Sequence, residues 1–222
     1  MDLIAREGTR LMATHVAAAA HLFALVAAVL LLVWTIRFGG GIALHSSNKE
    51  RVLNVHPVVM FMGFIFVAGE AIMAFKIIRA PKKLQKLVHM ALQLVALGLG
   101  SFGVYAAFKY HRESHIPDMT SLHSWLGMAT ICLVGLQWIF GFLLFWFPGA
   151  PRPARVAAAP LHACAGVALF LMTICTAETG LAQRAAEPGM ESRLLNFAGL
   201  FILLFGVVVS LSVALPRLTV HS

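Results

Sequence analysis

The sequence predicts an all-α integral membrane protein: a bundle of six transmembrane helices forming one domain over residues 1–222. Hydrophobic residues make up 60% of the 222 positions and charged residues 12%, with a mean hydropathy of +0.86, whereas about a quarter of a soluble domain is charged. Apolar runs of about 20 residues recur six times, and each is long enough to cross a hydrocarbon core of about 30 Å. The predicted spans are 15–36, 56–76, 84–108, 123–147, 160–182 and 195–215.

The first span is expected to remain in the mature protein. It is longer than the apolar region of a signal peptide, and no small-residue cleavage site follows it. It contains His21, a lone histidine that we expect to have a structural role.

The second span opens with "LNVHPVVMFMGF", residues 53–64. Pro57 suits the first turn of a helix, where the backbone N–H has no partner in any case. Glu70 lies further along, within one or two turns of Lys76 and Arg79. We therefore expect it to pair locally with them.

The loop between the second and third spans carries the strongest charge signal. Five basic residues crowd this short segment: Lys76, Arg79, Lys82, Lys83 and Lys86. By the positive-inside rule this loop faces the cytoplasm, and so do both termini, because an even number of spans separates them. The net charge of +8 is thus explained by membrane topology, and it gives no support to nucleic-acid binding.

The fourth and fifth spans are joined by "PGAPRPARVAAAP", residues 148–160, which is typical of a stiff, short connector. Short connections make successive helices antiparallel neighbours, as in a compact bundle. The core glutamines Gln93 and Gln137 are expected to form interhelical hydrogen bonds.

Three cysteines, Cys132, Cys164 and Cys175, lie inside apolar spans, and no C-x-x-C or C-x-x-C-H motif occurs. A disulfide framework and covalent haem attachment therefore lack support, and buried free thiols are expected.

Four of the ten histidines lie one per helix near the starts of the second to fifth spans: His56, His89, His123 and His162. Because the chain direction alternates, His56 and His123 share one side of the bundle, and His89 and His162 share the other. The topology thus predicts two imidazole pairs, one towards each membrane face, on the facing helices of a four-helix core.

A pair of neutral imidazoles suits the two axial positions of a haem iron. Such ligation leaves no open coordination site, which favours electron transfer over oxygen binding. A single histidine in a span is more often a hydrogen-bonded structural residue, but four at matching depths favour the ligand interpretation.

Six motifs carry a resemblance to a known family. They are "NVHPVVM" (54–60), "GEA" (69–71), "KLVHMALQL" (86–94), "SLHSWLG" (121–127), "QWIFGF" (137–142) and "WFPG" (146–149). The sequence resembles the cytochrome b561 family of ascorbate-driven transmembrane electron carriers, and its plant members most closely. The resemblance covers about residues 40–182, and the two outer spans match only in character.

The resemblance implies a core near residues 50–182 that holds two non-covalent b haems. It implies His56 with His123 at the non-cytoplasmic haem and His89 with His162 at the cytoplasmic haem, the same pairing that the topology predicts. The implied activity is an ascorbate-dependent transmembrane oxidoreductase. Cytoplasmic ascorbate is the donor, and monodehydroascorbate or a ferric chelate is the acceptor; the sequence does not separate the two.

Basic residues surround the expected mouth of the cytoplasmic haem site, and they would attract the ascorbate anion in a salt-dependent manner. Of these, Lys82, Lys86 and Arg155 occupy places that resemble the family's ascorbate-contacting positions. The same charges serve equally as a topology signal. The predicted donor-binding residues are Lys82, Lys83, Lys86, Arg152 and Arg155.

On the other side, Phe108, Lys109 and His111 follow the third span and are the predicted acceptor-binding residues. The resemblance places a histidine in the second substrate pocket here, although a solvated loop histidine fits the sequence nearly as well. Nearby polar residues could hydrogen-bond a haem propionate or an imidazole, or could simply cap helices. These residues are Asn54, Ser121 and Ser124.

Two other classes of function remain open on the sequence alone. A histidine-based transporter of divalent metal ions would need carboxylates near the histidines and a broken helix at mid-membrane, and neither is evident. A haem-anchoring subunit of a larger redox complex would bind a soluble partner and ignore ascorbate. A homodimer and a vacuolar location are implied by the plant relatives only, and a plasma-membrane location stays open.

Overall fold

The computed structural model describes residues 3–185 and 187–215, and within these the chain is helical, with no strand. All six long helices have the length and apolar composition needed to cross a membrane. This confirms the predicted all-α, six-helix architecture of an integral membrane protein. The helices are α1 (Leu3–Arg37), α2 (Lys49–Ile77), α3 (Lys82–Glu113), α4 (Leu122–Phe145), α5 (Arg152–Arg184) and α6 (Met190–Ser212).

Helix α2 begins earlier than predicted and is irregular. The side chain of Asn48 accepts a hydrogen bond from the Glu50 N–H at 3.0 Å, which starts a helical turn before the apolar run. A turn at Asn54 interrupts the helix, and a π-helical segment, Met60–Phe66, follows. Segments of this kind inside α-helices are often found at functional sites.

The segment at 148–160 is mostly helical, contrary to the predicted connector, because α5 already begins at Arg152. Pro153 lies in its first turn, where a missing N–H costs nothing. Helix α4 ends at Phe145, two residues earlier than predicted, and Pro148 disfavours helical geometry in the residue before it.

Helix α6 ends at Ser212, three residues before its predicted end. Residues 213–215 form tighter turns with i→i+3 hydrogen bonds. The buried Lys76 donates from Nζ to the carbonyls of Val213 (3.0 Å) and Leu215. A cation at a helix C-terminus satisfies carbonyls that have no partner within the helix.

The predicted local pairing of Glu70 with Lys76 and Arg79 is wrong, because its carboxylate pairs with a histidine on another helix. Glu70 Oε1 lies 2.9 Å from Nε2 of His21 on α1. The partner of this carboxylate is therefore on a different helix and far from it in the sequence.

Helices α2 to α5 form the centre of the bundle, while α1 packs along α6 beside it. Small residues allow close approach between the helices: Gly63 lies against Leu99 of α3, and Gly69 lies against Phe205 of α6. The buried core runs between the two ends of the bundle and includes Phe61, Phe64, Phe170, Ile174 and Phe205.

The three cysteines are free, but they are exposed on the outer faces of α4 and α5 rather than buried. Apolar composition predicts burial in a soluble protein. In a membrane bundle it does not separate core from surface, because lipid tails are as apolar as the core.

The loops divide between the two ends of the bundle. The basic end carries the α2–α3 and α4–α5 loops, and the opposite end carries the α1–α2, α3–α4 and α5–α6 loops.

Candidate functional site

The structure brings His56 and His123 together at the opposite end. His56 follows the interruption of α2 at Asn54, and His123 is the second residue of α4. Their ring centroids are 5.9 Å apart and their planes are nearly perpendicular, at 89°.

His89 and His162 form a second pair towards the basic end. They are the eighth residue of α3 and the eleventh of α5, roughly 10–15 Å from the helix starts at 1.5 Å per residue. Their ring centroids are 6.3 Å apart, with an interplanar angle of 71°. The structure thus has the two pairs that the alternating chain direction predicts.

The separation within each pair can be compared with the geometry of a metal bridge. Imidazole nitrogens bind transition metals at about 2 Å, and the ring centre lies about 1 Å behind the nitrogen, so two imidazoles on one iron have centroids roughly 6 Å apart. Both observed separations match this distance. The residues present therefore fit one bis-imidazole iron at each end.

The outward nitrogens of three of these rings hydrogen-bond to main-chain carbonyls of neighbouring helices. A carbonyl can only accept, so Nδ1 carries the proton and Nε2 keeps the lone pair that binds a metal. The pairs are His56 with Gly103 O (3.0 Å), His89 with Ala71 O (2.8 Å) and His123 with Thr176 O (2.8 Å).

The fourth ring differs. Nδ1 of His162 lies 3.2 Å from the side-chain amide nitrogen of Gln137. This amide nitrogen of Gln137 also donates to the main-chain carbonyl of His162 at 2.8 Å. The expected interhelical hydrogen bond of Gln137 is therefore present, and its partner is one of the four paired histidines.

Two glycines give the rings their space. A Cβ at Gly180 would lie 2.7 Å from Cε1 of His123, and one at Gly141 would lie 3.0 Å from Cε1 of His162. Real Cβ atoms essentially never approach other atoms to 2.7 Å. The ring of His123 therefore occupies space that any side chain at position 180 would fill.

A cavity of about 350 Å³ opens at the opposite end and is lined by both His56 and His123. Its deeper walls are apolar, with Phe61, Phe64 and Ile65 among them. A concave apolar pocket with a few convergent polar groups is the usual form of a cofactor site. Four further residues singled out from the sequence also line it: Phe108, His111, Ser121 and Ser124.

The serines act first as helix caps. The side chain of Ser121 accepts a hydrogen bond from the Ser124 N–H at 3.2 Å, and the Ser124 hydroxyl oxygen accepts one from the Ser121 N–H at 3.1 Å. This capping box fixes the first turn of α4, and His123 lies within that turn.

Asn54 does not form the predicted hydrogen bond to an imidazole. It is fully buried, and its side-chain nitrogen donates to the carbonyls of Gly39 and Gly41 at 2.9 Å each. It ties the α1–α2 loop to the break in α2. It is thus engaged with main chain and not with an imidazole.

Lys109 and His111 are both paired with acids. Lys109 forms an ion pair with Glu113 one turn later, and Nδ1 of His111 lies 2.9 Å from a carboxylate oxygen of Asp118. Of the two, only His111 is among the residues lining the cavity.

Sequence reasoning missed Arg184, which lines the same cavity. Its guanidinium lies 2.8 Å from a carboxylate oxygen of Glu50 and 3.6 Å from one of Glu191. Tyr110 donates to Glu50 (3.4 Å), and the buried Trp34 donates to Glu191 (2.9 Å). We call these five residues the Arg184 network; they belong to five different helices, and no sequence spacing reveals them.

At the basic end, Lys82, Lys83 and Arg152 are exposed, while Lys86 and Arg155 are half-buried. All five lie in the first two turns of α3 and α5. Helix N-termini are already the positive ends of their dipoles, so these side chains add to a positive potential. The arrangement favours the approach of an anion.

Lys86 is linked to the basic-end histidines through Phe145. Its Nζ lies 3.4 Å from the carbonyl oxygen of Phe145 and 5.9 Å from the centre of the Phe145 ring. That ring meets the His162 imidazole edge-on, with centroids 5.2 Å apart. One aromatic side chain therefore separates this cation from the imidazole pair.

In the part of the chain that the structure describes, no group of three or more His, Cys, Asp or Glu could hold a metal ion. The divalent-metal transporter has no such set of ligands among these residues.

Comparison with known proteins gives consistent results. The family model described as eukaryotic cytochrome b561 matches residues 55–187. The "Probable ascorbate-specific transmembrane electron transporter 2" of Oryza sativa subsp. japonica is 44% identical over 206 residues, which cover 89% of this chain and 87% of the relative. "Transmembrane ascorbate ferrireductase 1" of Arabidopsis thaliana is 39% identical over 211 residues, or 91% and 88%.

Proposed function

The chain belongs to the eukaryotic cytochrome b561 family, and on that premise we propose that it is an ascorbate-dependent transmembrane oxidoreductase. It takes single electrons from ascorbate at one membrane face and delivers them to an acceptor at the other. The names of its relatives support ascorbate as the donor and the transmembrane character of this activity.

The observation that carries the proposal is the presence of two imidazole pairs at iron-bridging separation, one towards each end of one bundle. His56 and His123 would hold one b haem, and His89 and His162 would hold the other. When bound, these groups supply reversible one-electron chemistry at iron. The protein supplies their orientation and an apolar medium between them.

The donor site is proposed at the basic end. Ascorbate is an anion at neutral pH, and a cluster of cations at two helix N-termini would concentrate it there. Lys86 is placed to hold the anion close to the ring of Phe145, which contacts His162. The residues proposed to contact the donor are Lys82, Lys83, Lys86, Arg152 and Arg155.

The acceptor site is proposed at the mouth of the opposite-end cavity, where Phe108 and His111 line the wall. His111, paired with Asp118, is placed to exchange the proton that accompanies ascorbate redox chemistry. Monodehydroascorbate and ferric chelates both fit this proposal. Lys109 takes part only indirectly, because it is paired with Glu113.

Orientation and location follow from charge and from the relatives. We propose that the basic end faces the cytoplasm together with both termini, by the positive-inside rule. A vacuolar membrane and a homodimer are proposed by similarity to plant members of the family, with the lipid-facing surfaces of the bundle in contact with the membrane.

The proposal is tested on the purified protein by a reduced-minus-oxidised absorption spectrum with ascorbate as reductant. We expect two haems per chain, both reducible. His56→Ala and His89→Ala should each remove one, because each leaves an iron with one protein ligand. His45→Ala, in an exposed loop position, is the matched control and should leave both haems in place.

Absence of haem from the wild-type protein would refute the ligand assignment. Two haems that ascorbate fails to reduce would instead favour the haem-anchoring subunit.

A further inference from the structure

The His162 site differs chemically from the other three histidine sites. When a neutral imidazole binds iron through Nε2, the remaining proton is on Nδ1 and needs an acceptor. Three sites place a carbonyl oxygen there at 2.8–3.0 Å. At His162 the polar atom against Nδ1 is the Gln137 amide nitrogen at 3.2 Å, itself a donor.

The position of Gln137 is fixed by contacts on both sides of the α4–α5 interface. Its amide nitrogen donates to the carbonyl of His162 at 2.8 Å. Gly141, one turn further along α4, lies against the ring of His162, where a Cβ would be 3.0 Å from Cε1. Gln137 and Gly141 thus border the imidazole on the α4 side and limit its rotation.

The acceptor facing Nδ1 controls how strongly an imidazole donates electrons to iron. A strong acceptor gives the ring partial imidazolate character, which makes it a better donor and stabilises ferric iron. A site without one has a weaker donor, and the ferrous form is relatively favoured.

We propose that Gln137 is a positioning residue for His162. It holds the ring in one rotation against α4 and leaves it the weakest electron donor of the four imidazoles, which biases the basic-end haem towards its reduced form. The inference rests on the proposed function and deepens it. It assigns to Gln137 control over the site that receives the donor's electron.

The first test uses Gln137→Met, which is close in size and removes the amide. The largest g value of a low-spin ferric haem depends on the angle between its two imidazole planes, which the structure places at 71° for His89 and His162. We expect the EPR signal of one haem to shift with both haems retained. That haem is identified as the one lost in His162→Ala.

The second test uses Gln137→Glu, which offers a carboxylate to Nδ1–H. We expect the midpoint potential of the same haem to fall, with a change in its reduction equilibrium of about tenfold, or about 59 mV for one electron. The reduction equilibrium of the other haem should change less than twofold.

Trp138→Phe is the control. It removes a hydrogen bond of the same helix, from Nε1 of Trp138 to the carbonyl of Met90 at 3.0 Å, and leaves the side chains of Gln137 and His162 unchanged. Neither EPR signal should shift in this variant.

The inference is overturned if Gln137→Met leaves both EPR signals unchanged, or if Trp138→Phe shifts the same signal equally. It is also overturned if Gln137→Glu leaves the potential unchanged. These outcomes leave two haems bound and the proposed function intact. Loss of the proposed function would be seen separately, as a wild-type protein that binds no haem.

Discussion

At the scale of single residues, the absence of a side chain shapes the site as much as the histidines do. The ring of His123 occupies space that a Cβ at Gly180 would fill, since that Cβ would lie 2.7 Å from Cε1 and 2.8 Å from Nδ1. The same Nδ1 bonds to the carbonyl of Thr176, one turn earlier on α5. Helix α5 thus both orients the ring and leaves room for it.

Gly180→Ala is expected to displace His123 and to reduce haem retention at the opposite end. Overpacking of a well-filled site costs about 1–3 kcal/mol, and here the strain falls on a proposed ligand. The measurement is the haem content of the purified variant. Gly98→Ala is the control, because a Cβ there meets nothing within 4 Å; equal haem loss in the two variants would contradict the steric argument.

At the scale of secondary-structure elements, polar contacts at the helix ends fix the helices against each other. Lys76 of α2 caps the carbonyls after α6 at the basic end. At the opposite end the Arg184 network joins α1, α2, α3, α5 and α6 beside the cavity. Packing between helices is not driven by water exclusion in a bilayer, so these contacts matter for the relative placement of the helices.

Arg184→Gln is expected to lower the thermal unfolding midpoint of the detergent-solubilised protein. Hydrogen bonds to charged groups contribute about 1.5–3 kcal/mol each, and the change leaves two carboxylates, on Glu50 and Glu191, without their cation. Arg193→Gln removes the same charge at an exposed position of α6 and should have little effect. A midpoint that falls equally in both variants would show that the network does not hold the helices together.

At the scale of the whole molecule, charge is distributed so that the two ends present different surfaces. The basic end carries cations in the first turns of α3 and α5. At the opposite end several cations are neutralised by nearby acids, as in the pairs of Lys49 and Lys109 with Glu113. This charge distribution attracts anions to the basic end, as the proposed donor site requires.

Lys83→Glu is expected to slow reduction by ascorbate supplied to the basic end of sealed vesicles. Steering by a charged cluster changes association rates by about tenfold or more at low salt, and we expect a fall of about two- to tenfold. The difference should shrink towards 1 M salt, where the screening length is about 3 Å. Arg112→Glu, an equal change at the opposite end, should leave the rate unaltered; a salt-independent effect of Lys83→Glu would contradict steering.

Much of the fold could be predicted from the sequence because membrane spans are local. Twenty apolar residues predict a spanning helix wherever it packs, and alternating direction places His56 beside His123 and His89 beside His162. The ends of α2 and α6 were not predictable in the same way. The start of α2 depends on the side chain of Asn48 capping its first turn, and the end of α6 depends on Lys76 reaching the carbonyls after Ser212.

The sequence by itself determined the number of helices, their order across the membrane and which histidines share a side, because hydrophobic length and chain direction need no knowledge of packing. Only the tertiary structure decided the surroundings of those histidines: the carbonyls behind three of them, Gln137 beside the fourth, and the Arg184 network around the cavity. Each of these contacts joins residues on different helices. Such contacts are set by helix rotation and tilt, and apolar composition does not specify these in a bilayer, where core and lipid-facing residues are equally hydrophobic.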